Sequence, residues 1–226
     1  MSDPQSVSSY PVWDLPVRVS HWAIMLLFAW QFLSGHFDWL PRVHLWAGYL
    51  LLVVLAFRLV WGFVGSESAR FGAMLKSMRS LVAGLADLGR PGPGYSAGHN
   101  PVGAISVLLM LSLLVVQSLT GLFVETWGEL RGPLAERIGR DTALWLADVH
   151  SLIRWPLLLV IAIHVAAAFW HLGWKRENRI GAMLGDGRLR LPADPQLQAA
   201  KPGRALLTLL VCALAVGSIA VFGPID

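Results

Sequence analysis

Apolar residues in this chain fall in long unbroken runs, not at the alternate spacing of a half-buried strand. Five runs suit membrane helices, at about residues 18–34, 43–64, 102–124, 142–174 and 205–222, because about 20 apolar residues cross a hydrocarbon core. The last is short but free of charge. Between the second and third runs the pattern becomes amphipathic. In ARFGAMLKSMRSLVAGLADLG, the residues Phe71, Met74, Leu75, Met78, Leu81, Val82, Leu85 and Leu88 recur at steps of three and four. That spacing predicts a helix over about 69–88 lying on the cytoplasmic membrane surface. GRPGPGYSAGHNP breaks it before the third run, and GDGRLRLPADPQLQAAKPGR predicts a polar linker before the last helix. No internal repeat stands out.

Composition agrees with lipid as the solvent: 14% of the residues are charged, against roughly a quarter in a soluble domain. Cys212 alone, inside an apolar run, excludes a disulfide framework or a cysteine-held cluster. The basic residues sit between apolar runs and form no solvated patch, so no nucleic-acid partner is expected and membrane lipid is. Residues 1–16 carry no basic n-region and no small-residue cleavage pattern follows, which predicts an uncleaved anchor. With the N-terminus inside, the inner segments collect twelve Lys and Arg, from Arg18, Arg70, Lys76, Arg79 and Arg90 to Lys175, Arg176, Arg179, Arg188, Arg190, Lys201 and Arg204. The outer segments hold four, Arg42, Arg131, Arg137 and Arg140. The asymmetry predicts a cytoplasmic N-terminus and, after five spans, a periplasmic C-terminus.

The segment HSLIRWPLLLVIAIH, residues 150–164, carries one histidine at each end. A step of fourteen residues is nearly four helical turns, so the two imidazoles share a face about 21 Å apart. They are too distant to share a metal ion. Read with the topology, His21 in the first run lies level with His164, and His44 in the second lies level with His150. That is the geometry of a helix bundle clamping two b-type haems, each between two imidazoles. A lone histidine in lipid is more often interhelical hydrogen-bond glue; four at matched depths favour ligation. His36 lies at the depth of His44 and competes with it. His171 is expected to face cytoplasmic headgroups, and His99 either lines a quinone site or is solvated.

Further residues suit such a site. Arg58 follows His44 by fourteen and either meets a haem propionate or snorkels to lipid phosphate; Arg18 has the same two options. Arg154 is placed to meet an outer propionate. Gly48, four after His44, would let a flat macrocycle approach the backbone. Tryptophans near run ends, among them Trp39 and Trp127, read as an interfacial belt.

VWDLPVRVSHW, HLWAGYLLLVVLAFRLVWGFVG, HNPVGA, TGLF, the GPL of the outer loop and NRIGAMLGDGR together resemble bacterial cytochrome b561 and the cytochrome b subunit of nickel–iron hydrogenases. The resemblance covers about residues 13–187. It implies a four-helix, dihaem b-type cytochrome of the bacterial inner membrane that exchanges electrons with the quinone pool. By position, His21, His44, His150 and His164 match the family's haem-iron ligands. The last run departs from the minimal pattern; Ala213 and Gly217 suggest a packing face for a partner subunit or second copy, and a plain anchor is the other option.

The expected fold class is therefore all-α: an integral membrane four-helix bundle binding two haems, plus an additional C-terminal transmembrane helix. A b561-like dihaem domain is expected over 1–190, and a linker with the C-terminal helix over 191–226. The expected function is electron transfer between a periplasmic redox partner, a c-type cytochrome or a metalloenzyme, and quinone or quinol. Arg18, Arg58 and His99 point to a quinone site near the cytoplasmic haem. The alternative is a self-sufficient superoxide:quinone oxidoreductase, which would want a basic outer funnel; ETWGELRGPLAERIGRD mixes both signs instead. A proton or solute transporter ranks third, since few acidic residues lie inside the runs. No catalytic triad, phosphate loop or zinc spacing is present, and GAMLGDG is a turn, not a dinucleotide fingerprint.

Overall fold

The computed structural model describes residues 7–37, 41–96, 98–125 and 131–222. Trp39 and Trp127, named above, and Glu129 of the quoted outer segment lie outside the described residues, as does the C-terminal end beyond Phe222. The chain is mostly helical. A short strand β1 (Ser8–Pro11) leads into α1 (Leu15–His36) and α2 (Pro41–Val64); α3 (Phe71–Ser77), α4 (Leu81–Leu88) and α5 (Pro101–Gly121) follow. After these come α6 (Arg140–Gly173), α7 (Arg179–Leu184), β2 (Arg188–Leu191) and α8 (Arg204–Phe222).

Local chemistry sets the helix starts. Asp14 accepts from the Val17 N–H at 2.8 Å and begins α1. Asn100 accepts from the Gly103 N–H at 2.6 Å ahead of α5, and Asn178 from the Gly181 N–H at 2.7 Å ahead of α7. Pro41 and Pro101 open α2 and α5, where a missing N–H costs nothing.

Among the described residues four helices, α2, α5, α6 and α8, are long and apolar enough to cross a membrane by length and composition. Most of their residues are left uncovered by the chain: 33% of the most apolar stretch of α2 is buried and only 6% of that of α6, which suits lipid and not water. α1 was expected as the first of five spans. It has the length, 22 residues, but Arg18, His21, Gln31 and His36 leave it less apolar, and it is not one of the four.

Two further expectations change. The single amphipathic helix over 69–88 is broken: a 3-10 turn at Met78–Ser80 separates α3 from α4. Ser77 Oγ donates to Met74 O and Ser80 Oγ to Ser77 O, local bonds that compete with a continuous helix. The linker after α7 begins with a strand. β2 pairs antiparallel with β1, from Ser8↔Leu191 to Pro11↔Arg188. Its RLRL alternation buries Leu189 and Leu191 and exposes the arginines.

The chain divides into two compact units, one of residues 7–19, 60–109 and 160–205, the other of 20–59, 110–159 and 206–222. In the first, Asp14 also accepts from Trp61 Nε1 at 3.0 Å and from Ser66 Oγ at 2.5 Å. The Val12 and Trp13 N–H groups donate to Gly187 O, and Gly187, at φ +78°, approaches Trp13 O so closely that no side chain fits there. In the second unit, α8 buries a stripe of Thr208, Cys212 and Val216. Ala213 and Gly217 are exposed.

Candidate functional site

The second unit holds a cavity of about 260 Å³ walled by residues of α1, α2, α5 and α6. His44 and His150 both line it, with Gly35, Gly48, Gly121, Gly132 and Arg154. His36, the competing histidine, is exposed and stacks on Phe32 at 5.8 Å between ring centroids. His44 Nδ1 lies 2.9 Å from Ser34 Oγ. His150 Nδ1 lies 2.8 Å from Gln117 O and 3.2 Å from Thr120 Oγ1, and its Nε2 lies 3.1 Å from the Gln117 amide nitrogen.

Glycines give these rings their room. A Cβ at Gly35 would stand 3.0 Å from His44 Cε1, and one at Gly121 would stand 2.9 Å from His150 Cε1. Gly48 faces the cavity, but a Cβ there would meet Gln31 Nε2 at 2.8 Å. Arg154 places its guanidinium 5.2 Å from the centre of the Trp155 ring, while its Nε is buried without a hydrogen bond. Gln31 Oε1 and Gln117 Oε1 are likewise buried without partners on the same cavity.

These features fit a haem. Two neutral-nitrogen donors and a cation stand on the walls of one space, and glycines thin those walls where a macrocycle needs clearance. Among the described residues no group of three or more His, Cys, Asp or Glu could hold a bare metal ion. Sequence reasoning missed Gln31, Ser34, Gly35, Gln117, Thr120 and Gly121. The signal was present in QFLSG and QSLTG, polar residues set at the ends of apolar runs.

The remaining expected residues lie elsewhere. Arg58 is buried in α2, 6% exposed, but does not line the cavity. In the first unit, Arg18 Nη1 donates to Gly185 O, and His99 packs edge-on against Trp13 with ring centroids 4.6 Å apart. His21 is in α1 and His164 in α6. His171 does not face headgroups: it is 7% exposed, with Nδ1 3.0 Å from Glu177 Oε2 and Nε2 3.1 Å from Asn100 Nδ2.

Glu177 anchors that network beside a smaller cavity of about 200 Å³. It accepts from the Gly94 N–H at 2.7 Å, the Tyr95 N–H at 3.2 Å and Arg179 Nε at 2.9 Å. Burial alone would push its carboxyl up. The His171 hydrogen bond, the Arg179 guanidinium and the Gly94 N–H outweigh burial and hold it at about 2. Lys175, 1% exposed, is paired with Asp87 at 3.0 Å and donates to Asp87 O and Arg90 O. With its polar groups partnered in this way, the cluster ties loop to helix.

The membrane-capable helices and the half-buried imidazole pair define a multi-pass helical membrane protein with a nitrogen-donor cavity. Residues 12–186 match the family described as prokaryotic cytochrome b561, and the chain belongs to that family. Membership makes it a bacterial membrane b-type cytochrome with haem b as cofactor. The chain is 26% identical over 211 residues to a probable Ni/Fe-hydrogenase B-type cytochrome subunit of Rhizobium leguminosarum bv. viciae, covering 79% of this chain and 88% of the relative. Proteins of the same description from Azotobacter chroococcum mcd 1 and Azotobacter vinelandii are each 25% identical over 215 residues, with the same coverage. No solved structure matches.

Proposed function

We propose that this chain is the membrane electron-transfer subunit of a periplasmic redox enzyme, passing electrons between that partner and quinone through two haems. The names of its relatives point to a nickel–iron hydrogenase as the class of partner. The observation that carries the reading is His44 and His150 on the walls of one cavity with Gly35 and Gly121 beside them. Bound haem supplies the one-electron chemistry. The chain's own residues hold the two imidazoles, seal the site from lipid, and offer the Arg154 cation to a propionate. His21 and His164 are assigned to the second haem by their depth in the sequence, and the domain division at 190/191 belongs to the same proposal.

The outer arginines do not favour a stand-alone superoxide reaction. Arg131 is paired with Glu125 at 3.1 Å and with Glu136 at 3.2 Å, and Arg140 lies 3.7 Å from Glu125. Little free positive charge is left there to draw in an anion.

The test is a reduced-minus-oxidised spectrum of the purified protein with haem counted per chain. The expected result is sharp low-spin b-type bands and two haems, falling to one in His44→Ala or in His150→Ala. A His44→Ala protein that keeps both haems would falsify the ligand assignment.

A further inference from the structure

One five-residue pattern occurs twice around the cavity. Gln31–Phe32–Leu33–Ser34–Gly35 lies near the end of α1, and Gln117–Ser118–Leu119–Thr120–Gly121 ends α5. Each is followed by a helix bearing a cavity histidine, His44 in α2 and His150 in α6. The chain therefore carries a short internal repeat that its apolar pattern hides.

Hydroxyl protons decide how the rings are held. Ser34 Oγ donates to Trp30 O at 2.8 Å, so it meets His44 Nδ1 with a lone pair and the ring nitrogen donates. Thr120 Oγ1 donates to Val116 O at 2.8 Å and likewise accepts from His150 Nδ1. Gln117 O, 2.8 Å from the same nitrogen, can only accept. Both rings thus carry their proton on Nδ1 and a lone pair on Nε2. In His150 that lone pair accepts from the Gln117 amide at 3.1 Å, a bond that ligation to iron would replace. The glycine after each hydroxyl faces Cε1 of the same ring.

We infer that Ser34–Gly35 and Thr120–Gly121 are two copies of one seat, positioning residues that fix His44 and His150 in the tautomer offering both Nε2 lone pairs to a single haem. The inference rests on the reading that these two histidines ligate haem. A hydrogen bond accepted from Nδ1–H makes an imidazole a stronger donor and favours the oxidised iron, so losing the acceptor raises the reduction potential. Ser34 Oγ is the acceptor His44 Nδ1 has among the described residues, whereas His150 keeps Gln117 O when Thr120 is lost. The Ser34 effect is therefore the larger.

The experiment is a spectroscopic redox titration of wild type, Ser34→Ala, Thr120→Val and Thr120→Ser, with haem counted in each. Two haems in the wild type, one lost in His44→Ala, secure the underlying reading first. The expected result is then an upward shift of one and the same haem component in Ser34→Ala and Thr120→Val, larger in Ser34→Ala, with Thr120→Ser at the wild-type value. Full haem content with unchanged potentials in both variants overturns the seats. Shifts in two different components overturn the shared haem.

Discussion

His150 Cε1 sits where a methyl group on residue 121 would stand 2.9 Å away, and His44 Cε1 where one on residue 35 would stand 3.0 Å away. Neither ring has a flexible end to yield, because each is tied through Nδ1. Gly121→Ala and Gly35→Ala are therefore expected to push an imidazole off its seat and cut haem content toward one per chain. Gly48→Ala meets the end of the Gln31 side chain at 2.8 Å, which can rotate away, so it should keep most of its haem. Extracted haem per chain, compared across the three, decides; equal content in Gly121→Ala and Gly48→Ala contradicts the crowding argument. The histidines were legible in the sequence because an ionisable group inside an apolar run demands a reason. The glycines and hydroxyls beside them were not, since Ser–Gly or Thr–Gly at the end of such a run reads as a terminator. Only the ring's position shows what the missing side chain clears.

Helices were legible to within a few residues because hydrophobic runs in lipid tolerate few alternatives: the expected 43–64 is Pro41–Val64 and the expected 142–174 is Arg140–Gly173. Strands β1 and β2 were not, because each is four residues long and pairs only with the far end of the chain. The Glu177 network was hidden for the same reason, as it joins α6 to the loop at Gly94 and Tyr95. That network carries a pH signature. The folded carboxyl titrates at about 2, below the ordinary 4.5, so its stabilisation is complete above the unfolded value and is lost as pH falls from there through about 2. Protection of the Gly94 and Tyr95 amides from hydrogen exchange should hold at pH 5 and fade as pH drops below 4. In Glu177→Gln it should be weak throughout; equal protection in the two proteins at pH 5 would mean the carboxylate does not hold the loop. Asp14 acts at the same scale. Asp14→Ala removes the cap of α1 and the acceptor for Trp61 and Ser66, with an expected cost of about 1–2 kcal/mol read as a lower unfolding midpoint in detergent.

For the whole molecule, the pairing of β1 with β2 fixes a parity. β1 precedes α1 and β2 follows α6, and the two strands are hydrogen-bonded, so both lie on one side of the membrane. The number of crossings between them must be even. If α2, α5 and α6 each cross, α1 must cross as well, despite Arg18, His21 and Gln31. Other contacts obey the same parity: Lys175, after α6, holds Asp87 and Arg90, which precede α5, and Arg204 donates to Val64 O at the end of α2. The proposed orientation puts all twelve Lys and Arg of the expected inner segments on this side, and that excess of positive charge is the reason for taking it as the cytoplasmic one. α8 is long and apolar enough to cross once more; the proposal that it does so leaves the exposed Ala213 and Gly217 as the expected face for a partner helix or second copy. Cysteines introduced singly as Ser9→Cys, Gln196→Cys and Asp141→Cys, in a Cys212→Ser background, test the arrangement in spheroplasts with a membrane-impermeant thiol reagent. Asp141→Cys should label at once, and Ser9→Cys and Gln196→Cys only after lysis. Labelling of Ser9→Cys and Gln196→Cys from opposite sides would remove α1 from the membrane, and with it the depth match between His21 and His164 on which the proposed second haem depends.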